Sequence, residues 1–211
     1  CQAIHGNLES LLTNNEMAII HFKTAIKLAK TDFAKKCKLY VLIGHEFVEL
    51  GNYHAAIFAY RNAVRQDYCE YAAWMGLGFA YDILEQPKFA IYYYQKCISI
   101  KCEDPRAWSS IAASYIKVDK LNLAYNAYEA AYKFSESRAK KMAIVEEILF
   151  VLRTLKDLEK QEMWLRAMVD YPEMDEYKQK GAEELAALYR TSGRGIEAVA
   201  LERSIAGDQG N

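Results

Sequence analysis

The chain has 211 residues, 52% of them apolar and 26% charged, a globular rather than a disordered composition. Lys and Arg number 27 against 28 Asp and Glu, so a net charge of −1 leaves no global field for nucleic acid or an anionic membrane. No apolar run approaches the roughly 18 residues that a membrane-spanning helix needs. Five cysteines, Cys1, Cys37, Cys69, Cys97 and Cys102, form no CxxC pair, and their odd number points to reduced thiols in a cytosolic or nuclear protein. The four histidines all fall at or before residue 54, which leaves most of the chain without an imidazole for base catalysis or metal binding.

Taken in chain order, the elements are helical and they repeat. Gly6, Ala18, Phe22 and Ala25 open the pattern. The step from Gly6 to Gly44 is 38 residues, so four extra residues are expected in the junction around 30–36. From there the period is 34: Gly44 and Gly78; Ala56, Ala90 and Ala124; Tyr60, Tyr94 and Tyr128; Ala63, Cys97 and Ala131; Trp74 and Trp108. Within one period Trp74, Leu77, Gly78 and Tyr81 stand at i, i+3, i+4 and i+7, one face of a first helix. Ala90, Tyr94 and Cys97 mark one face of a second. The break at 84–88 separates them, and Pro87 suits the first helical turn because its missing N–H would be unpaired there. Asp104 followed by Pro105 reads as a cap and first position for the next helix. Small residues at Gly78 and Ala90 allow close helix approach, with the rings of Tyr81 and Tyr94 filling the space beside them. Tyr115 continues the same set.

Downstream the pattern decays. Ile148, Trp164, Ala167 and Pro172 fit a fifth unit with Lys160 where a small residue is expected; Leu185, Ala186, Tyr189 and Ala198 fit a sixth. The run Gly207–Asn211 reads as a frayed tail, and the absence of a polar cap around Cys1–Ile4 suggests a piece of a longer array.

These positions resemble the tetratricopeptide repeat, W-x2-L-G-x2-Y followed by Ala, an aromatic, Ala and Pro. The resemblance implies an all-α fold: a right-handed superhelix, or α-solenoid, of about six helical hairpins. The units would lie at about 1–32, 37–70, 71–104, 105–138, 141–174 and 179–211, in one array. No phosphate loop, HExxH or GxSxG accompanies it, Gly76-x-Gly78 is a packing feature inside a helix, and neither an enzyme nor a bound metal or cofactor is expected. Tyr92, Tyr93 and Tyr94 point in different directions on a helix, which favours packing over base stacking.

First helices of stacked hairpins line a groove. Its inward candidates are Asn7, Val41, His45, Val48, Glu49, Met75, Phe79, Asp82, Arg106, Ser109, Ala113 and Lys117. Apolar Met75 and Phe79, acidic Glu49 and Asp82, and basic Arg106 and Lys117 suit an extended peptide with a cation beside apolar anchors. The alternative is that these charges are simply solvated.

The run 42–63 and the stretch Trp74–Leu84 followed by three tyrosines, with Gly6-Asn7 upstream, are more specific. They resemble the C-terminal half of the subunit-eight family of the anaphase-promoting complex (cyclosome), the cell-division-cycle protein twenty-three type, over about residues 1–170. That resemblance implies a non-catalytic scaffold of a ubiquitin ligase, in nucleus and cytoplasm, among other tetratricopeptide and scaffold subunits. It also implies a homodimer through repeats outside this segment and a groove that receives an Arg-containing coactivator peptide. Asn7, His45, Glu46 and Glu49 match the family pattern and Asp82 keeps its acidic character, whereas Ala112-Ala113-Ser114 departs from it by one acid. No nucleic acid or membrane partner is implied. The other reading is a chaperone-type adaptor gripping C-terminal peptides, but Val41 and Met75 stand where that mode needs cations.

Overall fold

The computed structural model describes residues 2–12, 14–29, 31–170 and 175–208, with side chains for all of these but 175–176 and 202–208. Cys1, Pro172 and Gln209–Asn211 lie outside the described residues. Every described element is an α-helix, and none is long and apolar enough to cross a membrane. The chain divides into two compact units, Cys1–Lys120 and Leu121–Asn211.

The first unit contains α1 (Gln2–Leu11), α2 (Asn15–Leu28), α3 (Phe33–Glu49), α4 (Tyr53–Gln66), α5 (Tyr71–Ile83), α6 (Pro87–Ile100) and α7 (Pro105–Lys117). Each helix packs on the next, and α5 also touches both α3 and α7. That is the geometry of stacked hairpins, with first helices side by side. The second unit contains α8 (Leu121–Phe134), α9 (Arg138–Leu155), α10 (Leu158–Val169), α11 (Asp175–Thr191) and α12 (Gly195–Asp208), again packed consecutively.

Glycine and ring fix each hairpin of the first unit. A β-carbon on Gly6 would lie 2.4 Å from the ring of Phe22, on Gly44 2.3 Å from Tyr60, and on Gly78 2.4 Å from Tyr94. Each pair is 16 residues apart, and all three rings are buried. Tyr60 is held from the other side too: a β-carbon on Gly76 would meet its ring at 2.4 Å. Gly76 is thus the packing position between hairpins that the sequence indicated. Burying one such ring contributes ~1.5–3 kcal/mol, available only where the facing helix has no side chain.

Trp74 and Trp108 share a second repeated task. Trp74 donates its indole N–H to the carbonyl of Tyr68, and Trp108 to that of Cys102, both at 2.7 Å. Each ties the loop before its own helix back onto that helix. Asp32, Asn52, Glu70 and Asp104 accept backbone N–H groups at the starts of α3, α4, α5 and α7, each cap contributing about 1 kcal/mol. Pro87 and Pro105 occupy the first positions of α6 and α7, as expected.

The hairpin turns carry a regularity that sequence reading did not register. Residues with positive φ stand at Gly51, Glu85, Asp119, Lys156 and Gly193, at steps of 34, 34, 37 and 37. At each, the next residue's N–H bonds a carbonyl five residues back, as in Asn52 to Phe47 and Gln86 to Tyr81. This register corrects the fifth unit. Ala56, Ala90, Ala124 and Ala198 stand five residues after the positive-φ position, all fully buried. The fifth such residue is buried Gln161, not Lys160, and its amide donates to the carbonyl of Leu152 at 3.0 Å. Leu165 and Met168 take the places assigned to Trp164 and Ala167; Ala167 is exposed. The decay of the pattern is a lengthened period of 37 combined with larger side chains. Trp164 is nonetheless buried, its N–H on the Tyr125 hydroxyl.

The four extra residues of the first junction also find a place. The loop between α2 and α3 ends at Asp32, while α3 has 17 residues against 13 in α5 and in α7. Four residues are close to one turn at 3.6 per turn, and they extend α3 at its start rather than lengthening a loop. At the other end, α12 runs to Asp208, so Gly207 and Asp208 are helical rather than tail.

Candidate peptide-binding site

Because α5 touches both α3 and α7, side chains from three first helices share one face. An open cavity of about 470 Å³ lies there. His45, Val48 and Glu49 reach it from α3; Tyr71, Ala72, Met75, Gly76 and Phe79 from α5; Arg106 and Ser110 from α7; and Tyr60 and Tyr94 from the second helices behind. The structure therefore brings together five of the expected groove residues, His45, Glu49, Met75, Phe79 and Arg106, and Val48 with them.

Other expected residues lie elsewhere. Asn7 is exposed on α1 and Ser109 on α7 gives its place to Ser110. Asp82 and Lys117 are outside the cavity and pair with each other across α5 and α7 at 2.8 Å, with the Ser114 hydroxyl donating to the same carboxylate oxygen at 3.4 Å. Glu46 is buried and accepts from Ser10 at 2.7 Å, which links α3 to α1. Val41 is buried and Ala113 partly so, neither in the cavity wall.

Tyr60, Tyr71 and Tyr94 are rings that sequence reading did not assign to the site, and the small residues Ala72, Gly76 and Ser110 join them. Tyr60 and Tyr94 are repeat-packing rings whose far edges reach through to the groove, a double role that periodicity alone does not reveal. Tyr71 stands four residues before Met75, one turn away on the same face, and that spacing was a usable signal. Its hydroxyl lies 3.9 Å from the Met75 sulfur.

The electrostatics are one-sided. Arg106 spends its charge on Asp104, Nη2 to Oδ2 at 2.7 Å and Nε to Oδ1 at 3.1 Å. That guanidinium hydrogen bond, with smaller contributions from the Arg106 N–H and the Tyr71 hydroxyl, holds the Asp104 carboxyl down at about 2. Glu49 pairs with no cation among the described residues. His45 accepts or donates at 2.9 Å to the Tyr60 hydroxyl. Although its ring borders the open cavity, partial desolvation lowers its pKa against the opposing pull of Glu46 and Glu49. Burial first, then the Glu49 charge, raises the Tyr60 phenol. At neutral pH the cavity is thus a ring-lined hollow carrying one unpaired carboxylate. Such a hollow suits a cationic side chain whose stem lies on aromatic faces.

Comparison with known proteins agrees with this architecture. The tetratricopeptide repeat model matches residues 38–68 and 71–101. The chain carries tetratricopeptide repeats. Its solved structural neighbours include YrrB, described as a tetratricopeptide-repeat protein with an unusual peptide-binding site, at a TM-score of 0.66 and 17% identity, over 85% of this chain and 88% of that one. A MamA protein aligns at a TM-score of 0.64 and 16% identity, over 82% and 91% of the two chains. At these identities the repeats share a fold and nothing more specific. Among curated proteins, the repeat-bearing chain is 34% identical over 95 residues to Protein bimA of Emericella nidulans, covering 45% of this chain and 11% of that protein. It is 26% identical over 93 residues to the general transcriptional corepressor trfA of Dictyostelium discoideum, 44% of this chain and 7% of that protein. The chain thus spans only about a tenth of the length of these curated relatives. Tetratricopeptide repeats mark a protein–protein interaction module.

Proposed function

We propose that this chain is a non-catalytic scaffold segment of the anaphase-promoting complex, of the subunit-eight type, and that its first-helix groove receives a coactivator peptide with an Arg beside apolar anchors. The observation that carries the reading is the cavity's charge pattern. Its guanidinium is already neutralised by Asp104, whereas Glu49 stands unpaired among Tyr60, Met75, Phe79 and Tyr94. An incoming guanidinium gains a charge-assisted partner there without displacing an existing one. The opposite preference, for a terminal carboxylate, finds no free cation among the described residues that line the cavity. The sequence resemblance over 1–170 supports the family-level reading, with other tetratricopeptide and scaffold subunits as neighbours, a homodimer through repeats elsewhere, and residence in nucleus and cytoplasm.

The groove is tested by fluorescence anisotropy with a labelled 12-residue peptide holding one Arg between Leu and Ile residues. Glu49→Lys should weaken binding at least tenfold, and replacing the peptide Arg by Ala should do the same. Equal affinities would overturn the groove reading. The assembly is tested by affinity purification of the full-length protein with mass spectrometry; failure to recover ubiquitin-ligase subunits would overturn that level.

A further inference from the structure

The second helices of the two central hairpins present a face that the groove does not use. On α4, Phe58, Arg61 and Arg65 stand at i, i+3 and i+7; on α6, Phe89, Tyr92 and Lys96 do the same, with Lys88 beside them. Neither helix contains an Asp or a Glu. Phe58 is 68% exposed, and Phe89 and Tyr92 are about half exposed.

The cations here rest on rings rather than on carboxylates. Arg61 donates to the Tyr81 hydroxyl at 2.6 Å and lies 6.0 Å from that ring's centre. Lys96 lies 5.4 Å from the centre of the Tyr92 ring. Arg65 donates to the Asn62 side chain. Among the described residues none of Arg61, Arg65, Lys88 and Lys96 pairs with a carboxylate. In the loop after α4 the acids are engaged locally: Asp67 accepts from the Cys69 N–H, and Glu70 caps α5.

Beneath them the rings form a continuous series. Tyr68 meets Trp74 edge-on at 5.1 Å, Trp74 meets Tyr93 at 5.9 Å, Tyr93 stacks on Tyr81 at 5.2 Å, and Tyr81 meets Phe89 at 5.3 Å. Arg61 enters this series from α4 through Tyr81, and Lys96 from α6 through Tyr92, whose ring meets Tyr93 edge-on at 5.2 Å, so the two helices share one surface. Its rings are ordered before any partner arrives, which removes much of the entropic cost of binding. Its charges are of one sign and unpaired, which selects the partner's sign.

We propose that the outer face of α4 and α6 docks an extended acidic segment of a partner protein, carboxylates on the Arg and Lys side chains and apolar side chains on Phe58, Phe89 and Tyr92. A net charge of −1 for the whole chain supplies no long-range attraction for a polyanion, which favours a short acidic peptide over RNA.

The test uses the full chain and three labelled probes in anisotropy titrations: an end-blocked 12-residue peptide alternating Glu with Leu and Phe, its Lys-for-Glu counterpart, and a 12-nucleotide oligouridine. The acidic peptide should bind at least tenfold more tightly than the other two, and more weakly as salt rises. The variant Arg65→Glu with Lys88→Glu alters two exposed side chains that no hydrogen bond or ion pair ties to another helix, and it should weaken the acidic peptide at least tenfold. Glu49→Lys should leave that binding unchanged, so failure here and failure of the groove are told apart. Equal binding of both peptides, tighter binding of the oligouridine, or indifference to the double charge reversal would each overturn the proposal.

Discussion

Gly44 and Tyr60 occupy adjoining space so closely that a single methyl group on Gly44 would penetrate the Tyr60 ring, at 2.3 Å from its nearest carbon. The same relation holds between Gly78 and Tyr94 one period later, at 2.4 Å. The helix of the glycine and the helix of the ring therefore cannot separate or approach without the other residue changing.

Gly78→Ala should destabilise the first unit by about 1–3 kcal/mol, the ordinary cost of overpacking. Tyr94→Leu should lose ring burial by a comparable amount. In the double variant the two costs should not add, because Leu vacates the space the methyl group needs. Urea denaturation of the four proteins checks this, and strict additivity would show that the contact is not shared.

Asp104 joins a cap to an ion pair. Asp104→Ala should cost about 1–2 kcal/mol at pH 7 from the lost cap and hydrogen bonds. The folded carboxyl titrates at about 2 against an ordinary 3.8, so its contribution is fully present above 3.8 and is lost as pH falls toward 2. The difference in urea midpoint between wild type and variant should accordingly shrink from pH 7 to pH 3.

His45 has the opposite chemistry and the same direction of effect. Desolvation lowers its pKa below the ordinary 6.5, so the unfolded chain binds its proton first on acidification. Stability should decline as pH falls below 6.5. His45→Gln, compared with wild type by thermal melts at pH 7.5 and 5.5, should show a smaller decline.

Thiol reactivity should divide the cysteines by position. Cys97 is buried and its pKa is pushed up to about 12; Cys37, buried and beside Glu70 and Asp67, is pushed up to about 11. Cys69 and Cys102 are exposed. Titration with a chromogenic disulfide at pH 8 should modify Cys69 and Cys102 in the native protein, and Cys37 and Cys97 only after denaturant is added.

Where side chains are small or aromatic at a fixed period, the sequence is readable, because each residue type answers one steric demand. Gly44, Ala56, Tyr60, Gly78, Ala90 and Tyr94 all occupy the close approaches expected of them. Where the demand is met by another residue type the reading slips by one, as at Lys160 and Trp164. Gln161 and Leu165 fill those positions, and a glutamine that satisfies its amide on the Leu152 carbonyl looks nothing like an alanine in a pattern. The groove was legible in outline through helical spacing, but not in its charges.

Periodicity alone determined that the chain is built of helical hairpins and where its best helices begin, and it marked Tyr60, Tyr81, Tyr94 and Tyr128, which are buried, alongside Trp108 and Tyr115, which are only partly so. It could do so because those properties depend on contacts between residues at fixed offsets along one or two helices. Only the tertiary structure decided which charges remain available. Sequence spacing makes Glu49, Asp82, Arg106 and Lys117 equals, whereas the fold pairs Asp82 with Lys117 and Arg106 with Asp104 and leaves Glu49 without a cation among the described residues. The Asp82–Lys117 pair exists because α5 and α7 lie side by side, which no offset along one helix encodes; the Arg106–Asp104 pair is local, and it is the side-chain geometry at the start of α7 that closes it.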